Sequence, residues 1–282
     1  MKLLHEVGKF IELGTAGAQP LWRYVYAGSV KPFFHPLATP AGHVLSIFEP
    51  HDHIWQRGLW FAIKYINGEN FWEEKPAIPW GTQITQDYPN ALLKADGAIE
   101  VSSRLTWLRP NEQGAVIDEH RRFIYRPIDL KSYAIDFCFE LTALAELTLD
   151  RTVFTTWGGY GGLAFRGNRN WQQTKLMLAD GSLTDRPVGV PGDWCDLTGK
   201  LDGGSNLFGG IAMFDHPQNP RSPSPWYGST GANHFFNAAF LFHEPMILPA
   251  GNVLKLQYRV LVHDGARTRE ELQAASEAYR AP

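Results

Sequence analysis

The chain of 282 residues is 44% hydrophobic and 20% charged, and its formal net charge is −3. This balance argues against a nucleic-acid partner, which requires a basic surface, and no apolar run reaches the roughly 20 residues that span a bilayer. We therefore expect neither a nucleic-acid partner nor a membrane partner.

The cellular compartment is predicted from the cysteines and the first residues. Cys138 and Cys195 are the two cysteines, and they form neither a CxxC pair nor a disulfide framework. The first ten residues, MKLLHEVGKF, contain several charged side chains and lack the apolar region of a secretion signal. A cytoplasmic location is expected, and the sequence carries no signal of the oligomeric state.

Aromatic residues and turn formers dominate the rest of the composition. The chain contains 10 Trp, 17 Phe and 10 Tyr, together with 27 Gly and 19 Pro. Aromatic segments separated by Gly and Pro turns are typical of β structure. The surplus of tryptophan is also what a cleft that stacks against sugar rings would contain.

Period-two alternation predicts half-buried antiparallel strands along most of the chain. For example, Ile135, Phe137 and Phe139 alternate with Asp136 and Cys138. The predicted strands are 21–26, 43–48, 59–66, 99–107, 115–126, 133–141, 146–156, 174–178, 207–214 and 253–263.

One helix is predicted, at the end of the chain. Thr268 and Glu271 have capping-box spacing, and Leu272, Ala275 and Tyr279 follow on one side. No βαβ alternation and no linker are present, so a parallel α/β fold is not expected. The sequence predicts an all-β protein, a large antiparallel β-sandwich with a short C-terminal helix, in which residues 1–282 form a single domain.

The stretch EPHDHIWQRGLWFAIKYINGENFWEE, residues 49–74, concentrates groups that can carry chemistry. His51 and His53 would share one face of a strand, and Arg57 can bind oxygen pairs in a planar fork. Asn67-Gly68 predicts a hairpin that returns Glu73 and Glu74 toward the histidines. Surface histidines with an ion pair are the alternative interpretation.

Two later clusters are candidates for the same site. In TTWGGYGGLAFR, residues 155–166, the glycines let backbone approach a ligand closely. In DHPQNPR, residues 215–221, prolines stiffen a loop that continues to Trp226 and Asn233. Packed aromatics in turns are the competing interpretation of both clusters.

Taken in order, these clusters resemble the DUF6807 family, also labelled PmoA-like or methane oxygenase. The resemblance runs through KPFFHPLATPAG (31–42), residues 49–74, TTWGGYGGLAFR, DHPQNPR and YRVLVHDG (258–265). It implies a β-supersandwich of the galactose-mutarotase type and a role in carbohydrate metabolism, by analogy of fold. The family pattern DH-x-[HW]-H-R-G-L-W departs here at one position, because Gln56 stands where histidine is expected and cannot take up a proton near neutral pH.

The preferred hypothesis is a carbohydrate-active enzyme that performs acid–base cleavage, elimination or epimerisation of a glycoside or keto-sugar derivative. His53 is the predicted proton-transfer residue, Arg57 and Asn233 hold oxygens or stabilise negative charge, and Glu74 is the partner acid with Glu73 as the alternative. His216 is a second acid–base candidate. The remaining predicted substrate-binding residues are His35, Gln56, Trp72, Tyr160, Arg166, Asn219 and Trp226.

Two rival hypotheses come from other classes. The protein could be a non-catalytic sugar-binding or sensor protein, which Gln56 favours. It could also be a metal-dependent enzyme that uses His51, His53 and a later histidine. The preferred hypothesis requires a small-molecule carbohydrate, with no metal and no cofactor.

Overall fold

The segments with the clearest alternation are the longest strands of the computed structural model, which describes residues 1–15, 17–231 and 233–281. In the strand Ser132–Ala143, Ile135, Phe137 and Phe139 are buried in the main core. Because β side chains alternate between faces, this pattern directs one face of the strand inward along its whole length.

Most of the chain is strand. In chain order the strands are β1 (Lys2–Glu6), β2 (Phe10–Gly14), β3 (Trp22–Val25), β4 (Phe33–Leu37), β5 (Leu59–Ala62), β6 (Tyr65–Ile66), β7 (Glu69–Asn70), β8 (Thr82–Thr85), β9 (Asn90–Leu93), β10 (Ile99–Leu108), β11 (Ala115–Asp129), β12 (Ser132–Ala143), β13 (Leu147–Asp150), β14 (Gly162–Arg166), β15 (Gln172–Leu178), β16 (Leu183–Thr184), β17 (Val188–Pro191), β18 (Trp194–Lys200), β19 (Phe208–Asp215), β20 (Pro225–Ser229), β21 (Phe235–Ala238), β22 (Met246–Leu248) and β23 (Val253–Asp264). A 3₁₀ turn covers Pro110–Glu112, and the helix α1 covers Arg269–Arg280.

The strands form three sheets in the described residues. The nine-stranded sheet has the order β1-β2-β3-β4-β5-β14-β21-β20-β17. The ten-stranded sheet has the order β16-β15-β18-β19-β23-β12-β11-β10-β8, with β9 also paired to β10. A four-stranded sheet, β22-β13-β6-β7, lies beside them. Neighbouring strands pair antiparallel, as in β11 with β12 and β12 with β23.

Aromatic side chains join the inner faces of the two large sheets. Phe61 of β5 stacks on Phe139 of β12 with ring centroids 4.2 Å apart, and Trp22 of β3 meets Phe123 of β11 edge-on at 5.9 Å. These contacts belong to a core cluster that also includes residues from β14, β19 and β23. The antiparallel sandwich predicted from the sequence is therefore confirmed, while the assignment of residues 1–282 to one domain stays a prediction.

The C-terminal helix covers part of the outer face of the ten-stranded sheet. The hydroxyl oxygen of Thr268 accepts a hydrogen bond from the Glu271 N–H, and the Glu271 carboxylate accepts one from the Thr268 N–H, which completes the predicted capping box. Leu272 packs in a small cluster with Ala134, Trp194 and other residues of that face. The predicted helix is confirmed, and no helix in the described part of the chain is long and apolar enough to cross a membrane.

Three predicted strands differ from the structure. Residues 43–48 make only isolated bridges, at Val44, Ser46 and Phe48. The strand predicted at 59–66 is divided into β5 and β6, and the one predicted at 146–156 ends at Asp150, where a loop begins. The hairpin predicted at Asn67-Gly68 is present, because β6 pairs with β7 across it.

Candidate functional site

A cleft of about 300 Å³ opens on the outer face of the nine-stranded sheet. We call it the aromatic cleft. Its lining residues are His53, Trp55, Gln56, Trp72, Glu73, Lys75, Trp157, Tyr160, Arg166, Tyr227, Ser229, Asn233 and Phe235. Six of the residues predicted from the sequence for catalysis or substrate binding are among them: His53, Gln56, Trp72, Tyr160, Arg166 and Asn233.

Alternation along the central strands decides which side chains reach the cleft. In β14, Leu163 and Phe165 belong to the main core, whereas Arg166 lines the cleft. In β20, Trp226 belongs to the main core and its neighbour Tyr227 lines the cleft. Neighbouring residues of a strand point to opposite faces, so one residue of each pair is available to a ligand.

Glycine lets the chain pass close to another strand beside the cleft. Gly58 has a φ of 59°, a backbone region that disfavours side chains. A Cβ atom at this position would collide with the carbonyl oxygen of Phe34. This close contact between Gly58 and Phe34 lies between Arg57 and β5. It constrains the backbone there, and so the directions of the Gln56 and Arg57 side chains.

Arg166 is the polar centre of the cleft and is only 1% exposed. Its Nη1 donates to Gln56 Oε1 at 2.7 Å, and its Nη2 donates to Asn233 Oδ1 at 2.8 Å and to Asp52 Oδ2 at 3.2 Å. Burial lowers the pKa of Arg166, partly offset by Asp52, but a guanidinium stays charged in proteins. Its Nε has no partner among the described residues.

His53 sits at the edge of this polar centre. Its ring meets Trp55 edge-on with centroids 5.1 Å apart, and its Nδ1 lies 3.1 Å from Asp52 Oδ2 but is not aligned for a hydrogen bond. Partial burial raises the pKa of Asp52, but contacts with His53 and Arg166 outweigh this and lower it to about 2. Asp52 is therefore ionised at neutral pH.

A second polar group on the cleft consists of Glu73, Lys64 and Tyr160. The Tyr160 hydroxyl donates to Glu73 Oε1 at 3.0 Å, and the ammonium of Lys64 pairs with Glu73 Oε2. Burial and the neighbouring carboxylate raise the pKa of Tyr160 well above its usual value. The tyrosine therefore remains protonated and keeps its hydroxyl as a donor.

Aromatic rings surround the space between these polar groups. Tyr160 lies 5.2 Å from Trp72, 6.4 Å from Trp157 and 6.0 Å from Tyr227 between ring centroids. Trp157 is 54% exposed although it is a large apolar side chain. An exposed tryptophan beside buried rings gives the cleft an apolar surface that a ligand can cover.

Cations outnumber carboxylates around the cleft. The cationic side chains are Arg166, Lys75, Lys64 and Arg169, and the carboxylates paired with them are Asp52 and Glu73. Lys75 holds its ammonium 4.9 Å from the Trp55 ring centroid and has no carboxylate partner among the described residues. The excess favours a ligand that carries or develops negative charge.

Arg57 and Glu74 lie outside the cleft, which corrects their predicted roles in contacting substrate. Arg57 donates from Nη1 and Nη2 to the two oxygens of Glu74 at 2.7 and 2.6 Å. Lys31 donates to Glu74 Oε1 and to the Trp72 carbonyl, each at 2.9 Å. Burial raises the pKa of Glu74, but Arg57 and Lys31 outweigh this effect and lower it. Because the carboxylate is saturated by buried cations, it cannot serve as the partner acid, and Glu73 faces the cleft instead.

Four further predicted residues are not part of the cleft. His216 contacts Tyr279 of α1, with ring centroids 5.4 Å apart. Asn219 donates to Asp215 Oδ1 and to the Gln257 carbonyl, which fixes its loop. Trp226 is fully buried and donates to the Gly192 carbonyl. His35 lines a separate cavity. The first three are held by the fold itself, so they cannot reach a ligand in this cleft.

His51 and His53 do not share a strand, contrary to the prediction. The His53 N–H donates to the Pro50 carbonyl and the Gln56 N–H to the His53 carbonyl, so the segment forms successive turns. His51 is exposed and contacts Arg169. In the described residues no group of three or more His, Cys, Asp or Glu side chains is arranged to hold a metal ion, so the metal-dependent hypothesis gains no support from this geometry.

The sequence prediction missed six lining residues and named Glu73 only as an alternative. The six are Trp55, Lys75, Trp157, Tyr227, Ser229 and Phe235. Alternation places Trp226 and Tyr227 on opposite faces of their strand, but the sequence does not show which of the two is buried. Lys75 carries no local signal, because it reaches the cleft from a turn.

Comparison with family models gives a match over most of the chain. The chain matches the family described as "Family of unknown function (DUF6807)" over residues 12–277, and the PmoA-like label is not part of that description. No curated protein matches the chain.

Two solved structures are distantly similar. One is a galactose mutarotase related enzyme from Lactobacillus acidophilus, with 8% identity, a TM-score of 0.37, and coverage of 95% of this chain and 98% of that one. The other is described as a candidate kojibiose phosphorylase from human microbiome, with 12% identity and a TM-score of 0.35. The aligned region covers 71% of this chain but only 24% of the length of that protein. Both TM-scores are below 0.5, so neither similarity supports a conclusion about this chain. The match over residues 12–277 is what assigns the chain, and the protein belongs to the DUF6807 family.

Proposed function

We propose that the protein is a carbohydrate-active enzyme that performs acid–base chemistry on a keto-sugar or glycoside in the aromatic cleft. The observation that carries the proposal is the combination of lining groups: an imidazole, a carboxylate, a buried guanidinium and several aromatic rings. Sugar rings have apolar C–H faces that pack on aromatic side chains, while their hydroxyls require hydrogen-bonding groups. The cleft supplies both kinds of surface.

The charge around the cleft favours one reaction type. Hydrolysis through an oxocarbenium-like transition state develops positive charge on the sugar ring, and a buried guanidinium would oppose it. Removal of a proton beside a carbonyl instead develops negative charge on the carbonyl oxygen, which Arg166 and Lys75 would stabilise. Elimination or epimerisation of a keto-sugar therefore fits better than direct hydrolysis.

Each polar group has a role in this scheme. His53 accepts the proton from the carbon beside the carbonyl, and the enolate oxygen is held by Arg166. In epimerisation a proton from solvent water then returns to the opposite face of that carbon. In elimination a C–O bond breaks and the leaving oxygen gains a proton, for which Tyr160, hydrogen-bonded to Glu73, is the donor. Trp72 and Trp157 supply apolar surface for the ring.

A non-catalytic sugar-binding protein is the second candidate, and Gln56 favours it. Its amide oxygen accepts from Arg166, so its role is to hold the guanidinium, and it has no proton to exchange near neutral pH. If Gln56 replaces an essential base, the cleft would still bind a sugar but would not turn it over.

The test is proton exchange and turnover with keto-glucosides and their unoxidised glucosides in D₂O, followed by NMR. We expect deuterium uptake or product with a keto-glucoside, and a loss of about 10²–10⁴-fold in rate for His53→Ala. His51→Ala is the matched control, because His51 is exposed and lies outside the cleft. Thermal unfolding of each variant separates lost chemistry from lost folding.

Three other outcomes would change the assignment. Equal rates for wild type and His53→Ala remove His53 from the mechanism. Saturable binding without exchange or product, in wild type and every variant, supports the binding-protein candidate. A gain of activity only in Gln56→His identifies position 56 as the missing base.

A further inference from the structure

A second and larger cavity, of about 850 Å³, lies between β3 and β4 of the nine-stranded sheet and the edge strand β8. We call it the rim cavity. Its lining residues include Arg23, Ser29, Phe33, His35, Phe48, Glu49, Arg57 and Thr82. We infer that the rim cavity is a second binding site, which takes a neutral saccharide ring and is separate from the aromatic cleft.

An aromatic platform is the first observation. Phe48 is 46% exposed, and its ring lies 5.6 Å from Phe33 and 5.5 Å from His35, stacked on the latter at 28°. The contacts on one side hold the Phe48 ring in a fixed orientation. Its exposed surface leaves apolar area in water, and the C–H face of a sugar ring would remove that area from water.

Charge balance is the second observation and indicates an uncharged ligand. Arg57 is paired with Glu49 at 2.8 Å and with Glu74 at 2.6 Å. Arg23 is paired with Glu12 at 2.7 Å. Both guanidinium groups of the rim cavity therefore already have carboxylate partners, and an anionic ligand would have to compete with them.

Uncommitted hydrogen-bonding groups are the third observation. Ser46 Oγ is buried, accepts from the Leu37 N–H and lies 2.9 Å from His35 Nδ1. His35 Nε2 makes no hydrogen bond to the described residues, so it is available to a ligand as a donor or an acceptor, depending on the tautomer of the ring. Burial and the charge of Arg23 lower the pKa of His35 to about 4, so the ring is neutral at pH 7. Among the described residues the hydroxyls of Ser29 and Thr82 have no partner.

The two cavities have different linings on either side of a common wall, which we define as the buried ion group of Arg57, Glu74 and Lys31. Gln56 and Glu73 line the aromatic cleft, whereas Arg57 lines the rim cavity and holds Glu74. No residue lines both cavities. The inference therefore does not depend on the reaction proposed for the cleft and can fail or succeed independently of it.

The test is titration calorimetry with methyl β-glucoside and maltose, with sodium glucuronate as the charged comparator. Phe48→Ala removes the platform at an exposed position, so the variant is expected to fold, and we expect the neutral sugars to bind it at least about fivefold more weakly. Phe48→Trp keeps a ring and should retain binding. Tyr88→Ala, also at an exposed aromatic residue but outside both cavities, is the matched control and should leave the affinity unchanged.

A cleft variant separates the two sites. Trp157→Ala alters the aromatic cleft alone and should not change binding in the rim cavity. The inference is overturned if neutral sugars do not bind at their solubility limit, or if Phe48→Ala binds them as tightly as wild type. It is also overturned if Trp157→Ala, rather than Phe48→Ala, abolishes binding, because the sugars would then occupy only the cleft.

Discussion

The aromatic cleft and the rim cavity lie on opposite sides of one wall and differ in how their charges are arranged. In the cleft, Arg166 has one carboxylate partner, which it shares with Arg169, and Lys75 has none among the described residues. In the rim cavity, Arg23 and Arg57 are paired with carboxylates. A cation without a carboxylate partner in a partly enclosed site can stabilise negative charge that develops during a reaction. A cation that is already paired with a carboxylate can only help to position a ligand. The same residue types therefore leave an excess of positive charge in the cleft and are neutralised by carboxylates in the rim cavity.

The wall gives the largest expected effect. Glu74→Gln leaves the buried cations Arg57 and Lys31 without their shared carboxylate. Removing one partner of a buried ion pair costs about 3–5 kcal/mol, so we expect a loss of that size in the free energy of unfolding, measured by urea denaturation. Activity per folded molecule should change little, because Glu74 does not line the cleft.

Glu69→Gln is the control for this prediction. Glu69 pairs with Arg109 at 2.7 Å, with both side chains partly exposed. Such surface pairs contribute about 0–1 kcal/mol, so the variant should unfold close to wild type. If Glu74→Gln instead abolished turnover while its stability remained unchanged, Glu74 would be the partner acid after all.

We expect the next largest effect at Arg166, in the aromatic cleft, where cations outnumber carboxylates. Arg166→Lys keeps the charge but loses the planar fork that holds Gln56 and Asn233. We expect turnover of the keto-sugar to fall about 10²–10³-fold, the range for loss of one preorganised donor to a developing oxyanion. Steady-state kinetics should assign the loss to kcat rather than to KM.

Arg169→Lys tests whether that effect is specific. Arg169 also pairs with Asp52, but its side chain is 36% exposed and does not line the cleft. Its substitution should change kcat by much less than Arg166→Lys. Equal losses for the two variants would mean that Asp52, not the fork of Arg166, is the group on which turnover depends.

The sandwich could be predicted from the sequence because its long strands alternate and its helix has a capping box. The strands β14 and β21 beneath the cleft could not be predicted in this way. Both of their faces are buried, so their sequences do not alternate between apolar and polar residues. The prediction preferred neighbours of residues that line the cleft, Glu74 with Glu73 as the alternative, and Trp226 in place of Tyr227. A shift of one residue reverses the face of a side chain, and composition alone does not reveal the face.

The sequence also does not show which distant residues come together in the fold. Arg166 hydrogen-bonds to Gln56 and Asn233, which are 110 and 67 residues away. Antiparallel pairing of β14 with β5 and β21 makes these contacts. Local patterns do not specify the pairing order, so the three residues could be listed as candidates but not assembled into one cluster.

The smallest expected effect is a pH dependence that arises from the rim cavity. Burial and the charge of Arg23 lower the pKa of His35 to about 4, compared with about 6.5 in an unfolded chain. Between these values the unfolded state binds a proton that the folded state does not. The free energy of unfolding therefore falls as the pH drops from about 6.5 to 4, and it is unaffected by His35 above that range.

Because His35 retains some exposure, we expect this contribution to be about 1–3 kcal/mol rather than the full value of the shift. His35→Gln removes the titration, so the stability difference between wild type and this variant should shrink on acidification from pH 7 to 4. Urea denaturation at several pH values measures it, with His243→Gln at an exposed site as the control. A parallel decline for wild type and His35→Gln would mean that His35 is not held neutral. A charged His35 would then add a positive charge without a carboxylate partner to the rim cavity, which contradicts the inference of an uncharged ligand.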